Sequence, residues 1–205
     1  MNNAVMQFVK SIVEKDHVAN RRILEVGALD FNGSARSIIE TMQPAEYLGV
    51  DMQQGAGVDR VISVSFLTDQ LGSRSFGLVV STEMLEHVQD WRWAVSQLKR
   101  SVEPGGRLLI TTRSPGFYYH GYPHDFWRFT EADFRLIFSD LDDLVVCTDD
   151  SEPGVFMYGR IPDEFIEREL SSIHPATCPD PPLGLRQYLR RILKRRPNQK
   201  PMAPS

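Results

Sequence analysis

Cysteine is scarce in this sequence. The two cysteines, Cys147 and Cys178, lie far apart and form no Cys-x-x-Cys pair, so the pattern excludes a disulfide framework and a zinc finger. Such cysteine usage is typical of a reducing compartment, and we expect a cytoplasmic protein. The shares of hydrophobic residues, 41%, and of charged residues, 24%, are ordinary for one soluble domain with terminal additions.

Long apolar runs are also missing. No stretch approaches the ~20 consecutive apolar residues that a helix needs to span a bilayer. The first six residues lack the basic region and the apolar run of a signal peptide. We therefore expect neither a membrane span nor secretion by that route.

Basic residues are outnumbered by acidic ones outside the C-terminal tail. The net charge is −4, but seven basic and no acidic residues follow Gly184, which leaves residues 1–183 with a net charge of −11. Nucleic-acid affinity depends on clustered Lys and Arg, so this acidic body argues against nucleic acid as a partner. In the basic tail, residues 185–196, apolar residues recur at helical spacing. Such a helix suits peripheral contact with an anionic membrane, or with a protein partner or the acidic body.

Apolar segments of strand length alternate with segments of helical periodicity. This alternation predicts an α/β protein with a Rossmann-like, doubly wound sheet. We divide the chain into an N-terminal helical segment (1–19), the main domain (20–160) and a loosely attached, Pro-rich and basic extension (161–205). The expected helices are 4–15, 34–42, 91–102 and one that begins at 130, and the expected strands are 22–27, 47–51, 60–63, 76–81, 107–112, 144–148 and 155–160.

Three features mark the carboxyl ends of the first three strands, where ligands bind in doubly wound sheets: Gly27, Asp51, and the pair Ser63 and Val64, beside which an adenine would lie. Gly27 ends the first strand and lets backbone approach a ligand closely. Asp51 ends the second strand, where a carboxylate can accept both hydroxyls of a ribose. The loop after Gly27 has no Gly-x-Gly-x-x-Gly pattern, and the chain has no Gly-Lys-Ser/Thr motif. A nucleoside without phosphates is therefore the favoured ligand.

Four segments in order, residues 23–27, 47–51, 76–81 and 98–108, together resemble the class I S-adenosylmethionine-dependent methyltransferases. The resemblance covers residues 20–160. It implies a sheet of about seven strands with the last strand antiparallel, helices on both faces, and S-adenosyl-L-methionine as cofactor. It places the methionine part over Glu25 and Gly27, the ribose on Asp51, and the adenine near Ser63 and Val64, with Ala28, Gly33, Met52, Thr82 and Glu83 as further cofactor-binding residues.

The loop after the first strand departs from the common family pattern. Leu29 and Phe31 stand where many members have glycine, and Ser63 stands where many have aspartate. The variant loop 27–34, paired with the segment 55–59, looks like a bacterial subgroup often associated with cell-surface saccharides or natural products.

Glu83, Glu86 and His87 follow the fourth strand. If the segment is helical, they share one helix face at i, i+3 and i+4, a spacing that can hold a metal. The pattern is similar to the Glu-x-x-Glu-His motif of small-RNA terminal 2′-O-methyltransferases and ubiquinone-pathway O-methyltransferases, where a divalent ion holds the acceptor hydroxyls. That resemblance implies a Mg, Mn or Zn ion, with His120 or His124 as the additional ligand.

An interpretation of this segment without a metal ion also remains open. In it the acid caps the following helix, the histidine packs near the cofactor, and His120, His124 or Asp125 is the general base. These three candidates lie in the segment 117–129, which has seven aromatics in thirteen residues and could wall an acceptor pocket that suits a sugar ring. In the alternative, Phe126, Trp127 and Phe129 fill the core and Arg128 pairs with an acidic neighbour such as Asp125.

We therefore expect an S-adenosylmethionine-dependent O-methyltransferase that acts on a hydroxyl of a saccharide or saccharide-bearing natural product, with or without a divalent metal. Two alternatives remain at this stage. One is N-methylation of an amino sugar or peptide amine. The other is a non-catalytic, cofactor-binding partner subunit, which Leu29 and Phe31 keep open.

Overall fold

The elements below come from a computed structural model that describes residues 3–30, 33–121 and 124–178. The helices are α1 (Asn3–Ile12), α2 (Arg36–Ile39), α3 (Leu67–Leu71), α4 (Trp91–Ser101) and α5 (Glu131–Ile137), and short 3-10 segments cover Lys15–His17, Glu40–Met42, Val64–Phe66 and Leu85–His87. The strands are β1 (Arg22–Val26), β2 (Glu46–Asp51), β3 (Arg60–Val61), β4 (Phe76–Thr82), β5 (Val102–Arg113), β6 (Trp127–Arg128), β7 (Asp142–Thr148), β8 (Gly154–Arg160) and β9 (Ala176–Thr177).

Seven strands form one sheet in the order β3-β2-β1-β4-β5-β8-β7. Strands β1 to β5 run parallel to one another, whereas β8 runs antiparallel to both of its neighbours, β5 and β7. The predicted fold class is thus confirmed, including the antiparallel last strand of the sheet. All seven residues of β4 are buried, as expected for a central parallel strand that is covered on both faces.

Two apolar clusters cover the two faces of the sheet. Neighbouring residues of β1 point to opposite clusters, since side chains alternate along a strand: Ile23 joins the cluster with Val9 of α1, and Leu24 joins the one with Leu98 of α4. None of the helices in the described part of the chain is long and apolar enough to cross a bilayer.

Some element boundaries differ from those that the sequence predicts. The helix expected over 4–15 ends at Ile12, and the one expected over 34–42 is a single α-helical turn followed by a 3-10 turn. Strand β5 begins at Val102, five residues before its predicted start, and includes Pro104 and two glycines. These glycines allow close packing: a Cβ on Gly106 would lie 2.9 Å from the carbonyl oxygen of Gly77 in β4.

The described part of the C-terminal extension packs against the domain, so the expectation of a loose attachment is wrong for residues 161–178. Leu170 and Ile173 are buried in the core beside α4, and Arg92 of α4 donates to the carbonyl oxygen of Leu170 at 3.0 Å. Strand β9 pairs antiparallel with β6. The predicted basic helix and tail, residues 184–196, lie outside the described residues.

Thr130 caps α5, and its replacement by alanine should destabilise the fold. The hydroxyl accepts from the backbone N–H of Asp133 at 3.1 Å, and the Asp133 carboxylate accepts from the backbone N–H of Thr130 at 2.8 Å. We expect Thr130→Ala to lower the free energy of unfolding by about 1 kcal/mol in urea denaturation. Thr130→Ser keeps the hydroxyl and is the matched control; an equal loss in both variants would contradict the capping role.

Candidate active site

A cavity of about 680 Å³ opens at the carboxyl ends of the parallel strands. This size is typical of small-molecule sites. Ten residues from four separate segments are predicted from the sequence to bind the cofactor, and all of them line this one cavity. They are Glu25, Gly27, Ala28, Gly33, Asp51, Met52, Ser63, Val64, Thr82 and Glu83.

The turn after β1 is held tightly against the end of β2. The backbone N–H groups of Gly27 and Ala28 both donate to the carbonyl oxygen of Val50, at 2.9 and 3.0 Å. Gly27 has φ of 81°, and a Cβ there would lie 2.8 Å from the Met84 side chain. Glycine is therefore required at this position both by conformation and by space.

Leu29 fits into the cavity wall because the segment 55–57 gives it room. A Cβ on Gly55 would lie 2.2 Å from the Leu29 side chain. The backbone N–H of Asp30 donates to the carbonyl oxygen of Ala56 at 2.9 Å. The variant loop and its paired segment are thus complementary surfaces. Phe31 lies outside the described residues.

Glu25 forms the floor of the cavity and is almost completely buried. Its carboxylate accepts hydrogen bonds from the Ser34 hydroxyl (2.8 Å) and the Tyr47 hydroxyl (2.9 Å). Burial raises the pKa of Glu25, although these two hydrogen bonds oppose the shift. Burial and the neighbouring Glu25 raise the pKa of Tyr47 well above its usual value, so the phenol remains a donor. The pair fixes the orientation of the carboxylate.

Asp51 stands at the end of β2 with its carboxylate positioned by backbone donors. Oδ1 accepts from the N–H of Gln53 at 2.9 Å and Oδ2 from the N–H of Leu29 at 3.4 Å. Each carboxylate oxygen has a second acceptor site. Asp51 can therefore receive two hydroxyls from a ligand in the cavity without losing its own support.

Glu83 does not share a helix face with Glu86 and His87, so that expectation is wrong. It lies between β4 and the 3-10 segment and has φ of 55°, which breaks the helical spacing. Its carboxylate pairs with the Arg113 guanidinium and accepts from the Thr111 hydroxyl at 2.9 Å. Burial and the charge of Glu86 raise the pKa of Glu83 to about 7, against the effect of Arg113.

Glu86, His87 and His120 bring three possible metal-ligating atoms within 4.8 Å of one another. The Glu86 side chain is completely buried. Its Oε2 accepts from the Thr112 hydroxyl at 2.7 Å, whereas Oε1 has no hydrogen-bond partner among the described residues. This Oε1 lies 3.6 Å from Nε2 of His120 and 3.9 Å from Nε2 of His87.

The far nitrogens of both imidazoles are engaged by acceptors. His87 Nδ1 donates to the carbonyl oxygen of His124 at 2.6 Å, and His120 Nδ1 donates to the Asp125 carboxylate at 2.9 Å. In the neutral rings the Nε2 lone pairs then point towards an unpartnered carboxylate oxygen. Metal-binding histidines are oriented in this way, and two imidazoles with a carboxylate suit a divalent transition ion. These residues therefore fit a metal.

His120 carries a proton at neutral pH when no cation lies beside it. Burial lowers its pKa, but Asp125 and Glu86 outweigh burial and raise the pKa to about 9. Burial likewise raises the pKa of Glu86, and the two histidines and Thr112 outweigh it, so that the pKa stays below its usual value. A protonated imidazole cannot accept a proton from an acceptor hydroxyl, and metal binding would have to expel that proton.

Asp125 and His124 support the cluster from outside the cavity. The Asp125 side chain is fully buried and accepts from Arg128, which donates to Oδ2 at 2.6 Å; Arg128 thus pairs with Asp125 as the core-packing alternative expected. This pairing lowers the pKa of Asp125, although burial opposes it. His124 contributes its backbone carbonyl. Of the three proposed general bases, only His120 lines the cavity.

Comparison with known proteins connects this geometry to a family. A family model described as a methyltransferase domain matches residues 1–137. The chain belongs to the class I S-adenosylmethionine-dependent methyltransferases. Curated relatives of this methyltransferase include the ubiquinone biosynthesis O-methyltransferase of Pseudomonas aeruginosa, which is 28% identical over 126 residues, 54% of this chain and 53% of the relative. The chain thus spans about half the length of the curated relatives it matches.

Solved structures show the same fold at low sequence identity. A Burkholderia thailandensis 1,6-didemethyltoxoflavin-N1-methyltransferase with bound S-adenosylhomocysteine has a TM-score of 0.59 and 15% identity, and the match covers 79% of this chain and 80% of that one. An S-adenosylmethionine-dependent methyltransferase from Mesorhizobium loti has a TM-score of 0.54 and 16% identity, with 78% and 98% covered. At these identities the matches show the fold of this chain and nothing finer.

Arg113 and Glu152 also line the cavity, although the sequence pattern did not indicate them. Arg113 ends β5, where its position at the carboxyl edge of the sheet was a usable signal. Glu152 lies in the turn before β8 and reaches the cavity only because β8 is inserted beside β5. Phe117, an expected wall residue, stacks under the Arg113 guanidinium at 4.0 Å from the ring centroid.

Proposed function

We propose that this methyltransferase transfers the methyl group of S-adenosylmethionine to a hydroxyl oxygen of a saccharide or saccharide-bearing acceptor, with a divalent cation held by Glu86, His87 and His120. One observation carries the proposal. Two oriented imidazole nitrogens and a buried, unpartnered carboxylate oxygen converge beside the cavity. This arrangement supports an ion site at the acceptor end of the cavity.

The cluster favours oxygen over nitrogen as the methylated atom. A bound divalent ion supplies Lewis acidity that lowers the pKa of an alcohol from its usual value near ~16, whereas a neutral amine is nucleophilic without such help. The chain itself orients His120 through Asp125 and His87 through the His124 carbonyl. It also holds cofactor and acceptor in one cavity, so that oxygen and methyl carbon can reach near-attack geometry.

The acceptor class is proposed from the cavity wall. Phe117 and Tyr118 stack with ring centroids 4.4 Å apart, and Tyr118 is 69% exposed. Apolar faces next to the polar groups of Arg113 and His120 suit a sugar ring, which presents both C–H and O–H groups. The name of the 28% identical relatives, an O-methyltransferase of ubiquinone biosynthesis, supports transfer to oxygen.

The cellular compartment of the protein and the contacts of its basic tail are also proposals. We propose the cytoplasm, on the cysteine usage of the sequence, and a contact of the basic tail, residues 185–196, with an anionic membrane or a protein partner. The tail lies outside the described residues. Leu29, which kept a non-catalytic role open, packs on Gly55 and lines the cavity without filling it.

The proposal is tested by supplying chelator-stripped protein with S-adenosylmethionine and measuring the S-adenosylhomocysteine that forms. Neutral sugars, amino sugars and peptide amines serve as acceptors, each with and without added Mg, Mn or Zn. We expect methylation of a sugar hydroxyl that requires the added metal. Turnover of amines alone, or hydroxyl methylation that is equally fast in chelator, would contradict the proposal.

A further inference from the structure

Arg113 is the single arginine or lysine among the described residues that line the cavity. It ends β5, one residue after the Thr112 that supports Glu86. Only 9% of its side chain is exposed. A cation buried at the acceptor end of a site is expected to have a fixed anionic counterpart, and this one has two.

The guanidinium is held from several sides. Its Nε faces the Glu83 carboxylate, and its Nη1 donates to Glu152 at 3.1 Å. One face of the guanidinium lies over the Phe117 ring, which is itself buried and stacked on Tyr118. With Nε facing Glu83 and one face on Phe117, Arg113 has its Nη groups left for other ligands, and in this structure one Glu152 oxygen accepts from Nη1.

The two acidic partners of Arg113 differ in exposure. The Glu83 side chain is 14% exposed and also receives the Thr111 hydroxyl, whereas the Glu152 side chain is 44% exposed and lies in the turn between β7 and β8. Water reaches Glu152 and can solvate its carboxylate when that carboxylate leaves Arg113. Glu152 is therefore the partner that a ligand anion inside the cavity can replace, while the buried pair with Glu83 keeps the guanidinium in place.

We propose that the acceptor carries a carboxylate that takes the place of Glu152 on Arg113, and hence that the saccharide is acidic, of the uronate type. The inference rests on the proposed function and adds its substrate class. Glu152 shows that a carboxylate oxygen can bind at Nη1, and a planar guanidinium can bind a carboxylate through two parallel hydrogen bonds. Arg113 is then a specificity-determining residue of the acceptor site.

The test compares two sugars that differ only at the proposed anchor. Protein saturated with S-adenosylhomocysteine is titrated with methyl β-D-glucuronide and with methyl β-D-glucoside in a calorimeter. We expect the glucuronide to bind about tenfold more tightly, since a charge-assisted pair replaces a neutral contact. Arg113→Gln should reduce this preference to within about twofold.

A second variant keeps the test decisive if Arg113→Gln misfolds. Glu152→Gln leaves Arg113 and Glu83 in place and removes the competing carboxylate, so glucuronide should bind about threefold more tightly than to the unmodified protein, and its preference over glucoside should rise. Glu46→Gln is the matched control, because Glu46 is 45% exposed and pairs with Arg22 away from the cavity.

The outcomes separate this inference from the proposal on which it rests. Equal affinity for the two sugars, or no gain in Glu152→Gln, overturns the acidic acceptor while cofactor binding stands. Tighter binding of glucose 6-phosphate than of the glucuronide overturns the carboxylate in favour of a phosphate. Failure of S-adenosylhomocysteine itself to bind would overturn the proposed function before any acceptor is added.

Discussion

Replacement of Asp51 by alanine is expected to weaken the binding of S-adenosylhomocysteine by about 100-fold in titration calorimetry. The carboxylate is positioned by the N–H groups of Gln53 and Leu29 and faces the cavity. Two ribose hydroxyls donating to a carboxylate make charge-assisted hydrogen bonds, of about 1.5–3 kcal/mol each. Their loss is partly offset by water that enters the space, which leaves about 100-fold.

Two controls separate ribose binding from support of the loop. Asp51→Asn keeps one carbonyl oxygen for a backbone donor but cannot accept from both hydroxyls, so we expect an intermediate loss of affinity. Asp69→Ala removes an exposed carboxylate from α3 and should leave the affinity unchanged. An unaltered dissociation constant in Asp51→Ala would place the ribose elsewhere in the cavity.

The cavity at the carboxyl ends of the strands could be predicted from the sequence because its position depends on short-range rules. Strands β1, β2 and β4 are apolar runs that end in a polar residue or are followed directly by glycine, and parallel strands bring their carboxyl ends to one edge. Positions such as Gly27 and Asp51 follow directly from where those runs stop. All ten predicted cofactor residues therefore reach the same cavity.

The acid and histidine cluster could be predicted only in part, because its geometry depends on one backbone angle and one long-range contact. Glu83 takes a left-handed φ, a conformation that periodicity cannot reveal for a residue other than glycine. The turn sends its carboxylate to Arg113 and leaves Glu86 and His87 facing His120. Spacing alone selected a segment that lies beside the cavity, but it also predicted a shared helix face that Glu83 does not join.

Buried polar partners were the least predictable part. Asp125 looks like a candidate base in the sequence, but the fully buried pair with Arg128 turns it into a support for His120. The packing of residues 161–178 was equally hard to predict, because the prolines of the C-terminal extension suggested a loose tail. Leu170 and Ile173 nevertheless fill a gap beside α4, since a few apolar residues suffice to dock an irregular segment on an incomplete core.

Replacement of Glu86 by glutamine is expected to weaken divalent-metal binding by at least about 100-fold, and metal-dependent methyl transfer with it. Glutamine keeps the shape and can still accept from the Thr112 hydroxyl, but it presents no negative charge to the two imidazoles. Titration calorimetry with Mn or Zn on chelator-stripped protein measures the loss without any acceptor. His120→Asn should abolish the same isotherm, because it removes the second converging nitrogen.

Glu83→Gln provides the sharpest contrast, since the sequence motif and the structure disagree on this residue. The Glu-x-x-Glu-His spacing makes Glu83 a ligand, whereas the structure commits it to Arg113 and Thr111. We therefore expect Glu83→Gln to retain the metal isotherm that Glu86→Gln loses. A metal that binds equally to the unmodified protein and to Glu86→Gln would remove the ion from this site. His120, held by Asp125 with a pKa of about 9, would then act at neutral pH as a hydrogen-bond donor to the acceptor and not as a base.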